Sequence, residues 1–214
     1  MSSLNFSQII ELVGYIGSAL VIVSMLMTSV VKLRVINSIG CVVFGIYALF
    51  IKSYPTAGMQ FFLLLINLVN LYRLLSSKNA YTSFETTADN EMLSFFVSKY
   101  LEDIKKFFPE FTGLDKSYSV FVICLKDTPV GIFAGTKTIS DSGNKTETSI
   151  NAILDYTTPA YRDCSVGKYV FKMLKEKGFT SVSSVSSCEA HSSYLKKMGF
   201  AQAAGAQNSY RKEL

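Results

Sequence analysis

The sequence has no tryptophan, a single histidine and only four prolines. Its four cysteines, Cys41, Cys124, Cys164 and Cys188, are widely spaced and form no C-x-x-C pair. With His191 as the one imidazole, no metal-ligand spacing arises, and no metal site is expected. Isolated thiols of this kind suit a reduced compartment rather than a disulfide framework. Charge is missing from three long stretches: residues 13–31, 35–51 and 56–72 contain no Asp, Glu, Lys or Arg.

Those stretches dominate the first third of the chain. A bilayer core about 30 Å thick needs roughly 17–25 mostly apolar residues per helix. Each stretch is apolar all round, which marks a deep core or a membrane span. Residues 1–76 hold too little chain to bury three such helices, so they are expected to form a three-span transmembrane unit. The spans are read as helices over about 9–28, 34–51 and 55–75, linked by short connections at 32–34 and 52–55. Small residues such as Gly14, Gly17 and Ser18 favour close helix approach. Asn37, Asn67 and Asn70 lie at or near membrane depth, either as hydrogen-bonding glue or as lining for a polar path.

The net charge is +5, and +4 of it lies in residues 1–78, where five basic residues face one acid, Glu11. Lys32, Arg34, Arg73 and Lys78 fall on one side of a three-span protein and Lys52 on the other. The excess of basic residues favours the cytoplasmic side. The expected topology is an N-terminus outside and a C-terminal part in the cytoplasm, on a cell inner membrane. The remaining +1 is too small and too scattered for a nucleic-acid footprint, so no nucleic-acid partner is expected.

Residues 77–88 are rich in Ser and Thr and read as a linker. From 89 the pattern becomes that of a soluble domain. Asp89 is the expected N-cap of an amphipathic helix over about 92–108, ended by Pro109. Period-two alternation then predicts strands at 118–125, 130–137 and 148–156, with a loop at 140–145. A helix at 165–177, a strand at 179–186, a helix at 190–198 and a last hairpin complete an α+β domain around one mixed sheet. The triplet at Asn144 matches a glycosylation sequon, which carries no meaning on a cytoplasmic domain.

The turn before the 165–177 helix carries the chemistry. A strand, a tight turn and a helix start expose free N–H groups, to which the helix dipole adds about half a positive charge. Arg162 and Lys168 add cations there, and Gly167 lets a ligand approach the backbone. Asp155 and Glu147 are candidate carboxylate bases. His191 reads as a surface helix residue or a base. Cys164, near a helix N-terminus, reads as a tolerated substitution or as a thiol of lowered pKa.

Two resemblances follow. The run Pro159-x-Tyr161-Arg162-x-x-Ser165-x-Gly167-Lys168, followed by Tyr194-Leu-Lys-Lys-Met-Gly199-Phe200, resembles the GNAT superfamily of acetyl-CoA-dependent N-acyltransferases over about residues 81–212. Ser165 stands where that family has its first loop glycine. The resemblance implies acetyl-CoA as co-substrate. Its pyrophosphate would lie on the loop formed by Arg162, Asp163, Cys164, Ser165, Val166, Gly167 and Lys168. Its pantetheine would pair with the backbone of Tyr156, Thr157 and Thr158. The family's tyrosine acid falls on Leu195 and its asparagine on Cys188. Tyr194, adjacent to Leu195, and Asp155 are therefore taken as the catalytic pair. The three-helix layout of residues 8–76 is similar to the small YgjV-like and half-transporter (SemiSWEET, PQ-loop) proteins, although the Pro-Gln signature of that family is absent. That similarity implies lipid as a partner and a homodimer formed through the helices.

The expected whole is a three-helix transmembrane domain followed by a soluble α+β GNAT-like acyl-CoA N-acyltransferase domain with a mixed central sheet, spanning 89–214. Its expected activity is acetyl transfer to an amine of the cytosol. The alternative is a catalytically degenerate CoA-binding domain that regulates a transporter-like membrane dimer.

Overall fold

A computed structural model describes residues 6–76, 81–142, 145–203 and 208–214. The chain divides into two compact units. The first comprises Met1–Lys78 with Pro159–Cys164, and the second Asn79–Thr158 with Ser165–Leu214.

In the first unit three long helices follow one another: α1 (Phe6–Met25), α2 (Val30–Phe50) and α3 (Tyr54–Ser76). All three are long and apolar enough to cross a membrane. Their outward side chains, including Leu12, Ile22, Phe61, Phe62 and Tyr72, are exposed. A helix exposing that much apolar surface requires lipid or protein around it. Gly17 and Gly40 permit the α1–α2 approach. A Cβ on Gly17 would stand 2.9 Å from Phe44, and one on Gly40 2.9 Å from Val21. α2 begins four residues earlier than the hydropathy pattern indicates. Ser29 accepts from the Lys32 amide and caps the helix, so Lys32 and Arg34 belong to its first turns rather than to the connection. Of the three asparagines, Asn67 is buried and accepts from Arg34 Nη1 at 3.0 Å. Asn37 takes an intrahelical contact from the Cys41 thiol.

The second unit is an α+β fold with a mixed sheet of seven strands. Its strands and helices are β1 (Tyr81–Thr86), α4 (Glu91–Lys105), β2 (Ser119–Leu125), β3 (Thr128–Ser142), β4 (Lys145–Thr157), α5 (Val166–Glu176), β5 (Ser181–Val185), α6 (Glu189–Lys197), β6 (Ala201–Gln202) and β7 (Ser209–Glu213). The sheet order is β1-β2-β3-β4-β5-β7-β6, and among the described residues only β4 and β5 run parallel. α5 is the crossover that a parallel pair requires.

Three sequence expectations need correction here. Residues 81–86 form the edge strand β1, paired with β2 from Tyr81↔Leu125 to Thr86↔Val120, and are not linker. Their polar content conceals the strand: Tyr81 is buried, Ser83 and Thr86 are half-buried, and Thr82, Phe84 and Glu85 are exposed. The loop expected at 140–145 is largely strand, because β3 runs on to Ser142 and β4 starts at Lys145. Asn144 and the start of the linker (77–80) lie outside the described residues. The cap of α4 is Asn90, whose Oδ1 accepts from the Met92 and Leu93 amides at 2.9 and 3.3 Å, and not Asp89.

The core under α4 gathers Leu93, Ile104, Phe111, Val120, Val122, Ile132, Leu154 and Tyr156. The opposite face of the sheet carries Phe121 and Phe133, whose rings lie 6.5 Å apart and tilted by 40°.

Candidate active site

The site grows out of an irregularity in β4. Ala134 pairs with Leu154 but Gly135 pairs with Ala152, so Ile153 is an extra residue in a β-bulge. A bulge re-aims the side chains that follow it. Leu154 and Tyr156 then join the core under α4, and Asp155 between them points to the other face. The Tyr156 hydroxyl donates to Asp103 Oδ2 at 2.7 Å, which fixes that ring inside. Beyond the bulge β4 also loses its parallel neighbour. Pairing to β5 covers Ser149–Ala152 only, while β4 continues to Thr157 against β3 alone. Among the described residues, the strand pairing of residues 154–157 is with β3. The Thr158 amide closes the end by donating to Val130 O at 2.9 Å.

Asp155 meets α6 across this face. The Tyr194 hydroxyl donates to Asp155 Oδ2 at 2.7 Å. Burial pushes the Asp155 carboxyl up to about 6, against the lowering effect of that hydrogen bond. Tyr194 is pushed far upward by its own burial and by the neighbouring carboxylate. At neutral pH the pair is therefore a carboxylate with a phenol bonded to it. A carboxylate titrating near 6 is matched to taking a proton from a substrate and giving it back.

Gly167 ties the pair to α5. A Cβ on Gly167 would collide with the Tyr194 hydroxyl. The space that the missing side chain leaves is thus filled by tyrosine, whereas the sequence pattern reserved it for a ligand. α5 itself starts from Ser165, whose φ of 60° and ψ of 24° are left-handed. A non-glycine residue there carries strain of order 1–3 kcal/mol, a feature that clusters at functional sites. The Ser165 side chain makes no cap hydrogen bond to the first amides of α5, at Val166, Gly167 and Lys168. Val166 and Gly167 are buried, and Lys168 is exposed.

The other sequence candidates fall elsewhere. Arg162, Asp163 and Cys164 group with the first unit. Arg162 and Asp163 are exposed there. The Cys164 amide donates to Tyr161 O at 3.0 Å. Burial, with Asp163 second, raises the Cys164 thiol above its ordinary pKa, opposite to the expected lowering. Glu147 is exposed, eight residues before Asp155 and so about 26 Å away along β4. Leu195 is 2% exposed and belongs to the core. Cys188 is the N-cap of α6; its sulfur accepts from the His191 amide and its thiol donates to Phe107 O at 3.3 Å. His191 is not a surface residue. It is 3% exposed, and neither ring nitrogen has a partner among the described residues. Its ring lies 4.5 Å from Phe108 and is stacked 6.4 Å from Tyr194. Burial pulls its pKa down to about 4, so it is neutral at pH 7. The sequence singled out this histidine but gave no sign of its burial. Among the described residues no cluster of ligand side chains could hold a metal ion.

No family model matches the chain. An uncharacterised Haemophilus influenzae protein is 45% identical over 65 residues, which are 30% of this chain and 84% of that protein. Among solved structures, a point mutant of the AtaT toxin bound to the C-terminus of the antitoxin AtaR and acetyl-CoA is 13% identical, with a TM-score of 0.39, covering 63% of this chain and 94% of that one. An acetyl transferase from Salmonella typhimurium, which modifies the N-terminal serine of the 50S ribosomal subunit protein L7/L12, is 9% identical, with a TM-score of 0.44, covering 62% and 95%. An aminoglycoside acetyltransferase from an uncultured soil metagenomic sample is 14% identical, with a TM-score of 0.40, covering 56% and 86%.

Proposed function

Taking as premise that the chain belongs to one family with the Haemophilus influenzae protein, we propose that it is a membrane-anchored, acetyl-CoA-dependent N-acetyltransferase acting on a cytosolic amine. The observation that carries this reading is the Asp155–Tyr194 pair, set on β4 just beyond its bulge. Pantetheine at Tyr156, Thr157 and Thr158, as the resemblance implies, would run alongside β4 as a surrogate strand. The start of α5, at Ser165, Val166, Gly167 and Lys168, suits a pyrophosphate.

In the proposed reaction the amine attacks the thioester carbonyl. Asp155 takes the proton that the nitrogen loses. The C–S bond breaks, and Tyr194 protonates the departing thiolate while recovering a proton from Asp155 through their hydrogen bond. The N–C bond replaces the S–C bond, and one proton passes from nitrogen to sulfur.

The three apolar helices support the membrane anchor. The basic residues near their ends support a cytoplasmic second unit, on the side where acyl-CoA is held. The direct test is calorimetry of the full chain in detergent micelles with acetyl-CoA, followed by acetyl transfer to a panel of amines. Binding with transfer is expected, and no binding at millimolar ligand would end the reading. A second reading, CoA binding without turnover, is favoured by Leu195 and Cys188 at the positions where the resemblance expects an acid and an asparagine. Binding with no transfer to any amine would select it.

A further inference from the structure

A cavity of about 360 Å³ opens between α5, α6 and the end of β7. Lys168, Lys172 and Lys175 of α5, Lys197 of α6 and Lys212 of β7 line it. Positions 168, 172 and 175 share one helix face. Phe171 and Met198 supply an apolar floor, which the lysine stems extend. The acidic side chain in the lining, Glu213, is bonded to Arg211 Nε at 2.8 Å, an exposed pair that offsets little charge, and it stands against five lysines. Lys172 lies 3.6 Å from Glu176, but both side chains are about two-thirds exposed, so that pairing offsets little of its charge. Lys212 turns inward: it donates to Met198 O at 2.5 Å and sits 4.8 Å over the Phe171 ring. Four ammonium groups are left around an apolar floor. The proposed acyl transfer uses none of Lys172, Lys175, Lys197 or Lys212. Like charges gathered this closely repel one another until an anion joins them.

We propose that this cavity binds a phosphate group carried on an apolar or organic moiety, as a second site that borders the proposed acetyl-transfer machinery at Lys168 and is otherwise built from residues outside it. The phosphate has two possible sources, an anionic phospholipid headgroup or a soluble phosphate. The apolar floor and the three apolar helices of the same chain favour the headgroup. The inference does not depend on acetyl transfer and survives if that reading fails.

The test uses the full chain in detergent micelles and calorimetry with two probes, dihexanoyl phosphatidylglycerol and inorganic pyrophosphate. The variants are K172E/K197E and, as a control away from the cavity, K105E/K116E. Wild type and control are expected to bind at least one probe, and K172E/K197E to bind it at least tenfold more weakly with an unchanged circular dichroism spectrum. Binding of the lipid alone identifies the headgroup as the source, and binding of pyrophosphate identifies a soluble phosphate. Three results would overturn the proposal: neither probe binds, the two double variants bind alike, or saturating acetyl-CoA abolishes probe binding. The last would make the cavity the outer end of the cofactor's own site.

Discussion

Tyr194 and Asp155 stand 39 residues apart in sequence and share a 2.7 Å hydrogen bond. The bond joins α6 to the segment of β4 that follows its bulge. There a buried carboxylate with a raised pKa is met by a phenol.

Removing the phenol leaves that carboxylate without its donor. In Tyr194→Phe the lowering effect of the hydrogen bond disappears while burial remains, so the Asp155 midpoint is expected to rise above about 6. Carbon-13 NMR of labelled aspartate reads this directly. A midpoint that stays or falls would break the assignment of the pair. Once an accepted amine is in hand, kcat in the same variant is expected to drop by about 10²–10⁴ with KM for acetyl-CoA little changed.

Gly167→Ala tests the same geometry from the other helix. The new Cβ collides with the Tyr194 hydroxyl, and overpacking of this kind destabilises by about 1–3 kcal/mol. In a Tyr194→Phe background the nearest remaining ring atom is 3.2 Å from that Cβ, so most of the penalty should vanish. Hydrogen exchange of β4 and α5 peptides in the four chains gives the double-mutant cycle. Additive effects would mean that the two residues do not touch.

How much of this was legible in the sequence depends on how local each signal is. The three uncharged runs and the amphipathic α4 announce themselves, because hydropathy is read residue by residue. The strand-turn-helix at 156–168 is local too, and Ser165, at the first glycine position of the resemblance, takes up a left-handed backbone. β1 was hidden because an edge strand with half-wet Ser and Thr has the composition of a linker. The bulge at Ile153 was hidden because register is set by the partner strand, and it decides which face Asp155 uses. The pairing of α6 with β4 is a tertiary contact. Sequence spacing singles out Leu195 and Tyr194 alike, and only packing puts Leu195 in the core and Tyr194 against Asp155.

His191, the one histidine of the chain, makes a clean pH probe. Its folded pKa, about 4, lies below its ordinary value of 6.5. Below pH 6.5 the unfolded chain takes a proton that the folded chain refuses, so this residue's contribution is full above 6.5 and is lost as pH falls toward 4. The loss is about 2 kcal/mol at pH 5 relative to pH 7. Asp155 acts in the opposite sense. Its raised folded pKa binds a proton that the unfolded carboxyl has released, so it adds stability as pH falls from about 6 toward 3.8. The two slopes partly cancel in the natural chain. His191→Phe removes one of them and is expected to gain stability on going from pH 7 to 5 relative to the natural chain. Hydrogen exchange of α6 at the two pH values measures the difference. An imidazole NMR midpoint near 6.5 would contradict the premise.

In the first unit, Asn67 accepts from Arg34 Nη1 at 3.0 Å, and Arg34 Nε is buried with no partner among the described residues. That asymmetry makes the two single substitutions unequal. Asn67→Leu strips the guanidinium of a partner and leaves more buried polar hydrogen unpaired. Removing one side of such a contact is more damaging than removing both. Arg34→Leu leaves only a neutral amide oxygen without a donor. Membrane-embedded polar contacts contribute about 0.6–2 kcal/mol, so Asn67→Leu should destabilise the unit by that order, and Arg34→Leu/Asn67→Leu by less. Thermal unfolding in detergent micelles, followed through the helical circular dichroism signal, ranks the three chains. If the double variant were less stable than Asn67→Leu alone, the contact would not be the glue between α2 and α3, and the solute-path role expected for Asn67 would regain its place.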